Sequence, residues 1–158
     1  MERQRFYSNI LSLENGLVKK QSQWPVDRQA LTIIKSVSPD FLPKILDFDE
    51  YTITYEYVEG TAVGTWLKQQ NATAQDIIQI YTQINDIWKE FLSISKEYCN
   101  GKMLYHNDLH LWNMIYKEGK IILTDVDSII ISDHVKLQTT HSYLFHQMEE
   151  ILYARIRR

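Results

Sequence analysis

The chain has 158 residues, with Lys+Arg 17 against Asp+Glu 20 and a formal charge of -3, so it suits one domain or two small lobes and lacks a basic field for nucleic-acid phosphates. Hydrophobic residues make up 44%, with Gly 5 and Pro 3, which excludes a disordered or low-complexity chain. The lone cysteine, Cys99, excludes an intrachain disulfide or Cys-rich zinc site and points to a reducing compartment.

In chain order, two extended runs between residues 5 and 21 flank Asn15-Gly16, whose tolerance of positive φ suits a two-residue hairpin turn. Val26, Ala30, Leu31, Ile33, Ile34 and Val37 recur at helical spacing, and Ser38-Pro39-Asp40 stops that helix. Lys44–Phe48 and Tyr51–Val58, on either side of Asp49-Glu50, read as a second antiparallel pair. The first 58 residues are thus predicted as β-β-α-β-β.

A short helical segment at Thr65–Gln70 then leads to Thr73-Ala-Gln-Asp76, a helix-start signature. The helix beyond it runs to about Tyr98 and carries Ile77, Ile80, Tyr81, Ile84, Ile87, Trp88, Phe91 and Leu92 on one broad face. Short strands are predicted near Met103–Tyr105, Met114–Tyr116, Ile121–Thr124 and Ile129–Ile131, and a last helix over about Asp133–Ile156. That helix is expected to fold back on Ile80, Ile84, Ile87 and Phe91, with any apolar face left over joining two chains as a homodimer. No apolar run reaches the roughly 18 residues of a membrane helix, and Met1-Glu-Arg-Gln-Arg-Phe6 lacks a signal peptide's apolar core. The expectation is a cytoplasmic protein with no membrane and no nucleic-acid partner.

Chemistry concentrates in Tyr105-His106-Asn107-Asp108-Leu109-His110-Leu111-Trp112-Asn113 and, one hairpin later, Leu123-Thr124-Asp125-Val126-Asp127. Loops at strand ends can converge such groups on one point. Asn113 and Asp125 carry the oxygen donors that Mg²⁺ takes alongside substrate phosphates. Asp108 would remain to orient a hydroxyl and accept its proton. His106 reads as loop support, and His110 as a group that touches phosphate or holds the loop. Asp127 reads as a capping acid sooner than a second metal ligand, Lys20 as solvated, and Trp66, Trp88 and Trp112 as packing residues.

His106-x-Asp108-x-His110-x-x-Asn113, with a strand ending at Asp125, resembles the catalytic and metal loops of the aminoglycoside phosphotransferase and choline kinase branch of protein-kinase-like enzymes. Tyr55-Glu56-Tyr57-Val58-Glu59-Gly60 is similar to the inter-lobe hinge, and Leu17-Val18-Lys19-Lys20 to the strand bearing the phosphate-binding lysine. The resemblance implies a minimal two-lobed α+β protein-kinase-like fold, with an antiparallel nucleotide-binding lobe at 1–58 and a reduced, mainly helical lobe at 61–158. It implies Asp108 as the catalytic base, with His110 beside it, and Asn113 and Asp125 as Mg²⁺ ligands. Lys19 would lie on the phosphates of ATP or GTP, Leu17 over the base and Ser8 in the phosphate-covering loop, with backbone groups of Glu56 and Val58 bonding adenine. Lys19 is chosen over Lys20 because Leu17 shares its face under strand alternation. No Gly-rich loop precedes Gly16, and Gln29 stands where the family's lysine-pairing acid is expected, with Asp27 close by. The implied function is transfer of phosphate from ATP to a hydroxyl of a small molecule. The alternatives are a nucleotide-binding pseudokinase that acts as an interaction module, and an atypical protein kinase.

Overall fold

In a computed structural model, residues 9–69, 72–133, 144 and 146–150 are described. Two strands, β1 (Asn9–Glu14) and β2 (Leu17–Gln21), meet at Asn15-Gly16, which take φ of 52° and 74°. These are the positive values that a tight hairpin turn demands. The helix α1 (Arg28–Val37) follows, then β3 (Ile45–Phe48) and β4 (Thr52–Glu56), in one antiparallel sheet of order β1-β2-β4-β3. The β-β-α-β-β reading holds. Asp27 starts α1: its Oδ1 accepts the Ala30 N–H at 3.0 Å, satisfying one of the helix's orphan donors.

Beyond the linker, β5 (Thr61–Ala62), which the sequence reading did not anticipate, runs straight into α2 (Val63–Gln69). The long α3 (Ala74–Tyr98) opens with the expected cap: Asp76 N–H donates to the Thr73 hydroxyl at 3.2 Å and Thr73 N–H to Asp76 Oδ2 at 2.7 Å. The four short strands expected next are present as β6 (Met103–His106), β7 (Met114–Lys117), β8 (Lys120–Leu123) and β9 (Ile129–Ser132). They form two small sheets, β5-β7-β8 and β6-β9.

The buried face of α3 aligns these sheets. Ile80, Ile84, Ile87 and Phe91 are all buried, and Phe41 meets Phe91 edge to face at 5.0 Å, whereas Tyr81 and Leu92, expected on that face, lie at its margins and are exposed. Gln83 clips the β7–β8 turn, donating to Gly119 O at 2.8 Å and accepting the Ile121 N–H at 2.9 Å. Ser95 Oγ accepts the Leu104 N–H at 2.9 Å and so holds β6. Most of the expected last helix lies outside the described residues; Leu144 and residues 146–150 are helical, and Leu144 and Met148 are buried in the common core. No helix among the described residues is long and apolar enough to cross a membrane.

Candidate active site

Three chain segments end at one place. Strand β6 pairs with β9 through His106 opposite Ile129, and Asn107 N–H donates to Ser128 O at 2.8 Å. The hairpin β7–β8 begins after Asn113 and ends before Thr124, whose N–H donates to Asn113 O at 2.8 Å. The loop bearing Asp108 and the loop bearing Asp125 are therefore side by side. Asp125 takes the left-handed conformation, φ 54° and ψ 50°, and its carbonyl accepts the Ser128 N–H at 2.8 Å.

A fully buried His106 fastens the two loops. Its Nε2 lies 2.7 Å from Thr124 O, and its Nδ1 accepts the Asp108 N–H at 3.3 Å. One neutral tautomer, protonated on Nε2, satisfies both contacts. Burial holds its pKa below the usual imidazole value of 6.5, outweighing the Thr124 carbonyl and the aspartates nearby. This agrees with its reading as loop support.

Asn113 is buried and donates through Nδ2 to Asp108 O at 2.9 Å and to Asp108 Oδ2 at 3.3 Å. Among the described residues, that leaves its Oδ1 as an acceptor and Asp108 Oδ1 with no hydrogen bond. The Asp108 side chain stays 63% exposed, accessible to an incoming group, and His110 Nε2 lies 3.7 Å from its Oδ2. His110 Nδ1 accepts the Trp112 N–H at 3.2 Å, capping the short 3-10 turn Leu111–Asn113.

The lysine of the site is Lys20. The sequence reading placed Lys19 inward and Lys20 in solvent; the structure reverses both. Val18 and Lys20 are buried, Lys19 is exposed, and Leu17, the expected roof of the base, shares the side of Lys19. The cause is pairing with β4, which sets Lys20 opposite fully buried Ile53 and Val18 opposite Tyr55. Lys20 Nζ donates to Asp125 Oδ1 and to Asp127 Oδ1, both at 2.7 Å. Burial alone would lower its pKa, but the two carboxylates more than reverse that and raise it above 10.5. Asp127, with only 8% of its side chain exposed, thus joins this cluster as the partner of Lys20, a place the sequence reading ranked below a capping role. The available signal was its i, i+2 spacing from Asp125. Tyr55 sits beside this trio; burial, then the two carboxylates against Lys20, push its hydroxyl up to about 12.

Among the described residues, no residue of α1 pairs with Lys20. Gln29 is exposed, and Asp27, besides capping α1, accepts the Ile131 N–H through Oδ2 at 2.8 Å. In the segment likened to a hinge, Glu56 N–H donates to Lys44 O at 3.0 Å, so that donor is already used, while Val58 N–H makes no hydrogen bond among the described residues. Ser8 lies outside the described residues. The reading of Trp112 as a packing residue holds on one side only, since it keeps 39% of its surface exposed.

The residues present fit a hard cation. Asn113 Oδ1 and Asp125 Oδ2 are oxygen donors on adjoining loops, and Mg²⁺ needs only one or two such protein ligands beside phosphates. Among the described residues no group of three or more His, Cys, Asp or Glu could hold a metal ion by itself.

No family model matches the sequence, and no curated protein matches it. Solved structures do. The kinase PK-1 of Cydia pomonella granulovirus is 14% identical, covering 78% of this chain and 54% of its own, with a TM-score of 0.44. The Rv3197–erythromycin complex of Mycobacterium tuberculosis is 15% identical over 79% and 35% of the two chains, TM-score 0.44. The macrolide 2'-phosphotransferase MphH of Brachybacterium faecium is 14% identical over 94% and 76%, TM-score 0.40. The chain spans about half the length of the granulovirus kinase. The described residues form a mixed α+β fold: a four-stranded antiparallel sheet with one helix, a linker, a long helix and two small antiparallel sheets, with Lys20 of the first sheet meeting Asp125 after β8.

Proposed function

We propose that this chain transfers a phosphoryl group from ATP, with Mg²⁺, to a hydroxyl of a small molecule. The observation that carries the reading is Lys20 held between Asp125 and Asp127 next to the loop that exposes Asp108. An ammonium has three donors; two are spent on the carboxylates, and the third is left for a phosphate oxygen without breaking the cluster. Asn113 and Asp125 would hold Mg²⁺, which when bound neutralises phosphate charge. The acceptor hydroxyl meets the open Oδ1 of Asp108. Its oxygen bonds to the γ-phosphorus as the bond to the bridging oxygen breaks, ADP leaves, and the hydroxyl proton passes to Asp108. Asn113 and His110 orient that carboxylate through Oδ2.

The test is a thermal shift with ATP, run with Mg²⁺ and with a chelator. At ligand near 100 times its dissociation constant, binding adds about 2.7 kcal/mol, and the larger shift is expected with metal. Asp125→Ala should weaken Mg²⁺-nucleotide binding. Asp108→Asn should leave binding intact and lower turnover roughly 10²–10⁴-fold. Equal shifts with and without metal would remove the assignment, and binding with no turnover under a panel of hydroxyl acceptors would make the chain a nucleotide-binding module.

A further inference from the structure

The 3-10 turn Leu111–Asn113 lies between the two side chains that meet Asp108, and its first donor has no acceptor in its own stretch of chain. Trp112 N–H donates to His110 Nδ1 at 3.2 Å and Asn113 N–H to His110 O at 2.9 Å, so the later donors of the turn are met locally. Leu111 N–H is the orphan that a helical start leaves. Leu111 is fully buried, and a buried N–H without a partner is costly. Gln147 meets it from 36 residues away, its Oε1 accepting that N–H at 3.2 Å. Leu144, three residues back on the same side of the helical segment, and the adjacent Met148 are both buried. The Gln147 side chain therefore leaves its helix on the side that packs into the core.

The turn carries this constraint to the chemistry at both of its ends. At one end, His110 Nε2 lies 3.7 Å from Asp108 Oδ2. At the other, Asn113 Nδ2 donates to Asp108 O at 2.9 Å and to Asp108 Oδ2 at 3.3 Å, and Asn113 O accepts the Thr124 N–H next to Asp125. We propose that Gln147 is a positioning residue of this site: by holding the Leu111 N–H it sets the turn that aims Asn113 at Asp108 and at the metal. The effect on the metal rests on the phosphotransfer reading; the hold on the Asn113–Asp108 pair does not. Gln147 acts through the turn and touches no reacting group. What the position requires is an acceptor oxygen, so Glu can serve there and an apolar side chain of similar length cannot.

The test compares Gln147→Met, which keeps length and helix propensity but removes the acceptor, with Gln147→Glu, which keeps it. One readout is the NMR signal of the Asn113 side-chain amide, assigned with Asn113→Asp, in protein without nucleotide. The other is the Mg²⁺ concentration that gives half of the metal-dependent ATP thermal shift. Gln147→Met is expected to move the Asn113 signal and to raise the half-saturating Mg²⁺ about fivefold, as the loss of one neutral hydrogen bond does. Gln147→Glu is expected to match wild type in both. A merely structural role would lower the urea midpoint of Gln147→Met and leave the Asn113 signal in place, which overturns the proposal. So does a Gln147→Glu that behaves like Gln147→Met, or an unchanged Mg²⁺ requirement where wild type shows one. If Gln147→Met does not fold, Gln147→Asn, one methylene shorter, takes its place in the same comparison. A wild type with no metal-dependent shift, whose Asn113 signal still moves in Gln147→Met and returns in Gln147→Glu, would overturn phosphotransfer and support the hold of Gln147 on the Asn113–Asp108 pair.

Discussion

Lys20 and Lys19 are neighbours with the same chemistry and opposite fates, and the difference can be measured. Lys20→Met removes the cation from Asp127, a carboxylate with 8% of its side chain exposed, and should cost about 3 kcal/mol in urea unfolding. Lys19→Met should stay within about 0.5 kcal/mol, as surface changes do. Because the folded pKa of Lys20 is raised above 10.5, its contribution is complete through neutral pH and disappears only as pH climbs through the folded value. His106 acts at the other end of the scale. Its folded pKa is below 6.5, so the unfolded chain takes up a proton that the folded one refuses. Stability from this group is full above 6.5 and is lost as pH falls from there toward the folded pKa. As pH falls below about 6.5, wild type should therefore lose stability more steeply than His106→Gln, by up to about 1.4 kcal/mol per pH unit. Parallel slopes would mean that His106 is protonated in the fold.

At the scale of elements, two helix starts that look alike in sequence carry different loads. Thr73 and Asp76 cap α3 reciprocally on an exposed surface, and Thr73→Ala should cost about 1 kcal/mol. Asp27 caps α1 with one oxygen and holds the Ile131 N–H of β9 with the other. It therefore ties the four-stranded sheet's helix to the strand that follows Asp125 and Asp127. Asp27→Ala should cost about 2 kcal/mol, a lost cap plus a lost hydrogen bond. It should also loosen amide-exchange protection at Ile131, which Thr73→Ala should leave unchanged. Equal costs and unchanged exchange at Ile131 would mean the second bond contributes nothing.

For the molecule as a whole, the segment containing Leu144 and Met148 joins the core, and Gln147 Oε1 accepts the Leu111 N–H at 3.2 Å at the start of the 3-10 turn Leu111–Asn113. Packing and site geometry are joined there. Leu144 is fully buried, so Leu144→Ala should cost about 2–5 kcal/mol through the cavity it leaves. Ile78→Ala on α3, at a residue 57% exposed, should cost no more than about 0.5 kcal/mol. Urea midpoints of the two variants check the contrast, and similar values would place Leu144 outside the cooperative core.

Local chemistry made much of this protein legible from its sequence. Asn15-Gly16 accepts the positive φ of a hairpin, Thr73 and Asp76 satisfy each other's N–H groups, and β-branched runs between turn residues mark the short strands near Asp108 and Asp125. Each depends on residues a few positions apart, so spacing is enough to read it. The facing of β2 was different. Alternation puts Lys19 and Lys20 on opposite sides and is silent about which side is inward; only pairing with Ile53 and Tyr55 on β4 decides it. Asp127 became a partner of Lys20 over a separation of 107 residues, and Trp112 packs on Gly64, far from it in the chain, where any larger residue would collide with the ring. Sequence determines what each residue can do within its own turn or strand. Tertiary structure decides which residues meet, because burial and pairing across distant segments select one face, one ion pair and one ring contact from choices that local geometry leaves equivalent.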